Sequence, residues 1–449
     1  MKKLTSLLLA VVVCLSVCSV LTSCDEEEHT HAYETKWSND SEYHWYACKI
    51  CNKRLEKAAH IWDEGEVTSA ATADTVGIKT FTCTVCGQTK NESLKYIEEP
   101  KEEDKEDYSW LAVFLPDEIV CAVGRTIEIY NAQVCPLAEK YHFRWDCSVG
   151  KALERKFSIT GTESLIGSYD LKLYIYNDKN EEIFHKTSTL KIVDNELEKN
   201  ITIVPIGDSL TNNKYWLTEV KNISGDKISY VGTRSSLDAQ ANPVSHEGRS
   251  GWDTNSYLTA SEYTYEGEGV HPFWNPTDES FSWSYYKSNS GLNPDGVQIF
   301  LGTNELSWES ADVYAENMKT LVDIIREDDP EIPIFIVLPP IWGDQNGMGV
   351  QQSSDGFASN VGRYKYDQDI KFIEGAKALY ETLKEYDRLY FVPITQCHDS
   401  EYNYGAVETP VNPRATQTEL MPEQAVHPTK QGYEQMADIM YSVYCQAFE

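Results

Sequence analysis

The chain has 449 residues, with 71 acidic against 39 basic side chains, a formal net charge of −32 and 41% hydrophobic residues. At roughly 150 residues per domain, two or three domains are expected. So large an excess of negative charge repels phosphate backbones, which argues against nucleic acid as a partner and leaves neutral and cationic ligands open. Beyond the extreme N-terminus, no apolar run approaches the roughly 20 residues of a membrane-spanning helix.

The N-terminus reads Met1-Lys2-Lys3, then an almost uncharged stretch from Leu4 to Ser23, then Cys24 and the acidic run Asp25 to Glu28. A basic start followed by an apolar segment predicts an export signal over residues 1–23. Leu21-Thr22-Ser23-Cys24 resembles a bacterial lipobox, which implies acylation of Cys24 and attachment to a membrane through that lipid; an uncleaved anchor helix is the alternative. Either arrangement puts the remainder outside the cytoplasm, and the lipobox reading makes the chain a membrane-anchored lipoprotein of the bacterial cell surface. With Cys14 and Cys18 in the signal and Cys24 lipidated, an odd number of cysteines remains. At least one thiol is therefore unpaired, metal-bound or joined to another chain.

Residues 24–95 are predicted to form a small Cys-rich module with a loose internal repeat. His31-Ala32-Tyr33 precedes Cys48-Lys49-Ile50-Cys51, and His60-Ile61-Trp62 precedes Cys83-Thr84-Val85-Cys86. Cys48, Cys51, Cys83 and Cys86, or two of these thiols with His31, His44 or His60, could surround a structural zinc ion. Disulfides are the alternative in an exported chain. The module resembles the Cys-x-x-Cys repeats of bacterial surface proteins, which implies a spacer or attachment role. Residues 96–107 follow as a linker, with seven acids and two lysines between Glu98 and Asp107 and too little apolar surface to order itself.

From 108 to 195 the period changes to two. Trp110 to Leu115, Thr126 to Tyr130, Tyr141 to Cys147, Lys156 to Thr160, Tyr169 to Tyr176 and Ile183 to Val193 are short β-branched or aromatic runs, with a turn at Asn177 to Asn180. They predict an antiparallel, Ig-like β-sandwich, acting as a glycan-binding module or a passive spacer.

Over 196–449 compact apolar runs alternate with amphipathic stretches. Ile201 to Ile206, Lys227 to Val231, Val297 to Leu301, Ile334 to Leu338 and Leu389 to Ile394 read as buried parallel strands; Ala311 to Glu327, Asp367 to Glu385 and Gln431 to Phe448 read as helices. The pattern predicts a doubly wound α/β fold that binds ligands beyond the carboxyl ends of its strands. Ser209 follows the first strand directly, where a hydroxyl and a backbone N–H face the crevice. Gly248, within His246 to Trp252, offers a backbone donor, Asn304 a carboxamide and His427 an imidazole. Together they supply a nucleophile, oxyanion donors and a base, the inventory for acyl transfer without a cofactor.

These four segments, in this order, resemble the blocks of the SGNH, or GDSL, hydrolase superfamily. The resemblance implies a flavodoxin-like three-layer α/β/α domain with Ser209 as nucleophile, His427 as base, and Ser209, Gly248 and Asn304 as oxyanion donors; Gly251 fits the pattern less well than Gly248. One position departs from it. Where the family has aspartate three residues before the histidine, this chain has Gln424, with Glu423 beside it. Either Glu423 swings in, or Gln424 or a backbone carbonyl holds a Ser–His dyad, or turnover has been lost. Trp252, Trp274, Trp283 and Trp308 are candidates for stacking on a sugar in the cleft. The expected substrate is an acetylated polysaccharide or a small ester. A surface adhesin with a worn hydrolase domain and a lipid esterase or thioesterase are the alternatives.

Overall fold

The computed structural model describes residues 30–72, 74–95, 107–108, 110–237, 243–260, 262, 271–343 and 365–449. The export signal, Cys24 and residues 96–106 of the linker lie outside them. The chain divides into two compact units, Met1–Glu106 and Asp107–Glu449.

The first unit contains two three-stranded sheets, Ser38–Asn39, Tyr43–Ala47 and Arg54–Ala59, then Glu66–Ser69, Gly77–Thr82 and Thr89–Leu94. Both are antiparallel, and the two are built alike. Tyr33 bridges Cys48 as Trp62 bridges Cys83. The Lys49 N–H donates to Ala32 O at 2.9 Å as that of Thr84 donates to Ile61 O at 2.8 Å.

The second unit opens with two facing sheets. One orders its strands Glu118–Ala122, Glu182–Val193, Gly167–Tyr176, His142–Asp146; the other Lys151–Ala152, Lys156–Thr160, Thr126–Tyr130. Trp110 to Leu115, expected as the first strand, is irregular, and its Phe114 ring lies 5.4 Å from that of Tyr380. The strand begins after Pro116 instead and pairs parallel with Glu182–Val193, so the sandwich is not wholly antiparallel.

The seven-stranded sheet runs Arg234–Leu237, Pro243–Gly248, Ile201–Gly207, Gly296–Phe300, Ile334–Val337, Leu389–Val392, with Ile228–Tyr230 also on Ile201–Gly207. All pairings are parallel except the first. Alternate side chains serve opposite helical layers, as the pleat requires. Ile334 and Ile336 pack with Met318 and Phe372, whereas Phe335 and Val337 join the core of the C-terminal helix Lys430–Ala447. Buried side chains on both faces of the sheet thus pack against helices, in a mixed α/β arrangement. Two strands were not anticipated, because Arg234–Leu237 and Pro243–Gly248 carry no apolar period.

The sandwich shares one apolar core with this domain, Cys121, Ala122, Ile127 and Ile129 belonging to the same buried cluster as Met436, Met440 and Tyr444. Polar contacts ring it: the Ala122 N–H donates to Ser442 Oγ at 3.0 Å, Arg125 pairs with Asp438 at 3.0 Å, and Gln435 Nε2 donates to Tyr130 Oη at 3.0 Å. A chain starting at Asp107 should therefore stay soluble and fold cooperatively. One starting at 196 exposes the apolar face of the C-terminal helix and should aggregate or melt at least several degrees lower, as gel filtration and thermal denaturation would show.

Candidate active site

The buried strand Ile201–Gly207 runs directly into the short helix Ser209–Asn212. Asp208 caps that helix, its Oδ1 accepting the Leu210 N–H at 2.8 Å, and the turn sets Ser209 at the carboxyl edge of the sheet. Ser209 Oγ lies 2.7 Å from His427 Nε2, and His427 Nδ1 lies 2.6 Å from Gln424 Oε1. A carboxamide oxygen only accepts, so Nδ1 carries the proton and Nε2 offers its lone pair to the serine hydroxyl. Two backbone bonds pin this loop. The Gly343 N–H donates to Ala425 O and the Thr429 N–H to Asn403 O, each at 2.7 Å. Thr429 then caps the C-terminal helix. Burial lowers the His427 pKa from its ordinary value, so the ring is a neutral base at pH 7.

Glu423 points elsewhere: it is exposed, donates its N–H to Gly405 O at 2.6 Å and keeps its carboxylate beside Gly405. Gln424 is the residue on the imidazole.

The oxyanion donors divide differently from the expectation. Asn304 Nδ2 donates to Trp252 O at 2.7 Å, which fixes the amide so that its nitrogen, not its oxygen, meets that turn. Gly248 ends a strand in register with Gly207, and its N–H donates to His246 Nδ1 at 3.1 Å. Burial pushes His246 down to about 4, so the ring is neutral and can accept. A side chain at position 248 would meet the Asn212 nitrogen at 2.5 Å. Glycine is required there for packing, and its N–H is already engaged, which corrects its assignment as oxyanion donor. Gly251 instead has φ +77 and open space around it, a conformation that glycine adopts without strain. Its turn touches both neighbours of the site: Asn212 Nδ2 donates to Ser250 Oγ at 3.0 Å, and Trp252 O receives Asn304.

Beneath this turn lies a buried ion pair. Arg249 and Glu247, 2% and 0% exposed, meet at 3.2 Å, and Tyr286 Oη and Thr233 Oγ1 donate to the same carboxylate at 2.9 and 3.0 Å. Two further carboxyls are buried nearby. Burial, with Glu305 adding to it, pushes Asp208 up to about 8, and burial pushes Glu305 up to about 7.

Of the four tryptophans expected in the cleft, Trp283 is fully buried among Phe273 and Tyr286, and Trp252 packs edge-on against Tyr257 and His271; both are core residues. Trp274 is half-buried in a two-stranded hairpin. Trp308 is 61% exposed and edges a cavity of about 280 Å³ shared with Asp253, Asn255 and Glu305. A second cavity, about 290 Å³, adjoins His427 itself and is lined by Asn213, Tyr215, Glu423, Gln424 and Tyr433. Tyr215 is half-exposed, its ring 5.4 Å from that of Tyr433, whose hydroxyl accepts Asn213 Nδ2 at 2.8 Å. Sequence reading passed over Asn213, Tyr215 and Tyr433. The first two lie only a few residues past Ser209, and that adjacency was the available signal.

In the first unit, the Cys-x-x-Cys pairs do not converge on one point. Each closes against histidine, Cys48 and Cys51 with His31, Cys83 and Cys86 with His44 and His60. No disulfide joins any of the nine cysteines among the described residues.

A family model described as the GDSL-like Lipase/Acylhydrolase family matches residues 206–435, the stretch from the end of the strand before Ser209 into the C-terminal helix. The chain belongs to that family. No curated protein matches it. Among solved structures, this GDSL-like hydrolase is similar to a family 3 carbohydrate esterase of Clostridium thermocellum, at 17% identity and TM-score 0.36 over 56% of this chain and 98% of that one. It is also similar to a family 3 carbohydrate esterase from Talaromyces cellulolyticus, at 15% and 0.33 over 55% and 98%. A carbohydrate acetylesterase from Xanthomonas citri matches at 9% and 0.27 over 74% and 75%.

The GDSL-like hydrolase is thus an ester-hydrolysing enzyme whose imidazole rests on a neutral amide. Gln424→Glu places a carboxylate on His427 Nδ1 and should move the acid limb of kcat/KM up by about one pH unit or more, with faster turnover above it. A pH–rate profile checks both. Asp208 and Glu305 bind protons more tightly folded than unfolded, so stability is greatest below about pH 4 to 4.5 as far as they contribute and falls as the pH rises towards 7 to 8. Asp208→Asn should flatten that fall in urea unfolding measured from pH 5 to 8.

Proposed function

We propose that this GDSL-like hydrolase is an exported serine esterase that removes small acyl groups, chiefly acetyl, from the hydroxyls of a carbohydrate. The reading is carried by the unbroken line from Gln424 Oε1 through His427 to Ser209 Oγ, with bonds of 2.6 and 2.7 Å. His427 takes the Ser209 proton at Nε2 as Oγ attacks the ester carbonyl. The C–O bond to the sugar then breaks, and the imidazolium returns its proton to the departing alkoxide. Water, deprotonated by the same nitrogen, releases the acyl group from Ser209. The oxyanion is held by the Ser209 N–H, the second Nδ2 hydrogen of Asn304 and, in place of Gly248, the Gly251 N–H.

The substrate class rests on the cavity beside His427. Its lining is amide, phenol and carboxylate rather than aliphatic, and it is at the small end of ligand pockets, about 300 Å³. A half-exposed Tyr215 gives a sugar ring one face to stack on. A long acyl chain has no comparable apolar bed among these residues. The export signal and the lipid expected on Cys24 would hold this activity at the cell surface.

Ser209→Ala should reduce hydrolysis of a chromogenic acetate ester to background with an unchanged melting temperature, and Asn304→Ala should cost about a hundredfold or more in kcat. Tyr215→Ala should raise KM for an acetylated oligosaccharide severalfold while leaving the small chromogenic ester unaffected. Retained turnover in Ser209→Ala would overturn the mechanism. An equal effect of Tyr215→Ala on both substrates would overturn the carbohydrate assignment alone.

A further inference from the structure

We infer that the N-terminal unit holds two zinc ions, one bound by His44, His60, Cys83 and Cys86 and the other by His31, Cys48 and Cys51. In each group one ligand atom per residue lies within 4.8 Å of all the others. Zinc bonds of about 2.3 Å to sulfur and 2.0–2.1 Å to nitrogen give tetrahedral edges of about 3.5 Å between N and S and 3.8 Å between two S. The spacings present are of that size: His60 Nδ1 to Cys86 Sγ is 3.4 Å, His44 Nδ1 to Cys83 Sγ 3.8 Å, and His31 Nδ1 to Cys51 Sγ 3.4 Å.

A thiol–imidazole hydrogen bond would account for one such pair, but not for two imidazoles and two thiols converging on a common centre. His60 adds a second mark of a metal ligand. Its Nε2 donates to Asp40 O at 2.9 Å, which leaves the Nδ1 lone pair aimed at the sulfurs. Ligating histidines are held in this way by a backbone acceptor on the far nitrogen. Two soft thiolates with two imidazoles in a tetrahedron suit zinc over hard cations.

The unit needs such a staple. Among its described residues the buried apolar side chains are Trp45, Cys48 and Cys83, while Ile50, Leu55, Ile61, Val67 and Val76 are exposed. A module of this size without a core depends on metals or disulfides for stability. Among the described residues no strand pairing joins its two sheets. His44 stands in the first sheet and Cys83 and Cys86 in the turn of the second, so the four-ligand site rivets one repeat to the next. The three-ligand site closes its own repeat and takes its fourth ligand from water.

The test uses the full chain, reduced and stripped of metal, titrated with cobalt(II) and then zinc(II). Two cobalt equivalents with intense tetrahedral d–d bands and thiolate charge-transfer absorption are expected, both displaced by zinc. Cys86→Ser should lose one equivalent and Cys51→Ser the other, with acetate-ester hydrolysis unchanged in each as a check on folding. Zinc should also slow hydrogen exchange over Tyr43–Ala47 and Gly77–Thr82 in the unmodified chain. Failure of the reduced chain to bind cobalt overturns the inference, as does recovery of the exported chain with Cys48–Cys51 and Cys83–Cys86 disulfides. A single equivalent untouched by Cys51→Ser overturns the three-ligand site.

Discussion

The hydrogen bond between Ser209 and His427 joins two positions 218 residues apart, and the rest of the second unit can be understood as what holds its two ends in place. Ser209 is fixed by a strand buried in mid-sheet and by the Asp208 cap. His427 is fixed by the helix that begins three residues later, and that helix is itself held from two sides. Phe335 and Tyr444 pack edge to face on the sheet side, and Ala122, Arg125 and Tyr130 of the sandwich grip Ser442, Asp438 and Gln435 on the other. In the proposed mechanism this 2.7 Å contact tolerates little drift, because proton transfer needs both heavy atoms within hydrogen-bond reach. The sandwich thus does mechanical work for the base without contributing a reactive group.

Charge inside this site is arranged to appear only during reaction. The one arginine–carboxylate pair buried on both sides among the described residues, Glu247 with Arg249, cancels within itself, and its carboxylate also accepts from Tyr286 and Thr233. Asp208 and Glu305 are pushed by burial towards their neutral forms. His427 is held neutral by burial and rests on an amide. A triad carboxylate would stabilise the imidazolium at the expense of a buried charge in the resting enzyme. Gln424 keeps the orienting bond and gives up that stabilisation, which leaves the donors around the oxyanion as the main source of transition-state electrostatics.

Much of this arrangement was legible in the sequence, and the exceptions share a cause. Strands such as Ile334–Val337 and helices such as Ala311–Asp328 are written in apolar period, so they could be read directly. Pro243–Gly248 could not, because beside Val244 its buried residues are His246 and Glu247, polar side chains whose burial is tolerated through partners such as Arg249, Thr233 and Tyr286. Gly248 and Gly251 are indistinguishable as letters. They differ in where their N–H groups go, and that depends on the ring of His246. The aromatic surplus near the cleft misled for a related reason: composition cannot separate Trp283, stacked in the core, from Tyr215, half-exposed beside the base.

The two units also solve the stability problem in opposite ways, and this bears on where the charge can sit. The second unit buries a continuous apolar core shared between sandwich and sheet, so its surface is free to be acidic. The first has scarcely any core among its described residues, and the zinc ions inferred for it would draw on seven histidine and cysteine side chains whose ligand atoms lie within 4.8 Å of one another in each group. A core weakens gradually as contacts are lost, whereas a metal-closed turn depends on every ligand being deprotonated and reduced. An unfolding of the first unit would leave the bonds that align Ser209, His427 and Gln424 untouched, since none of them originates there.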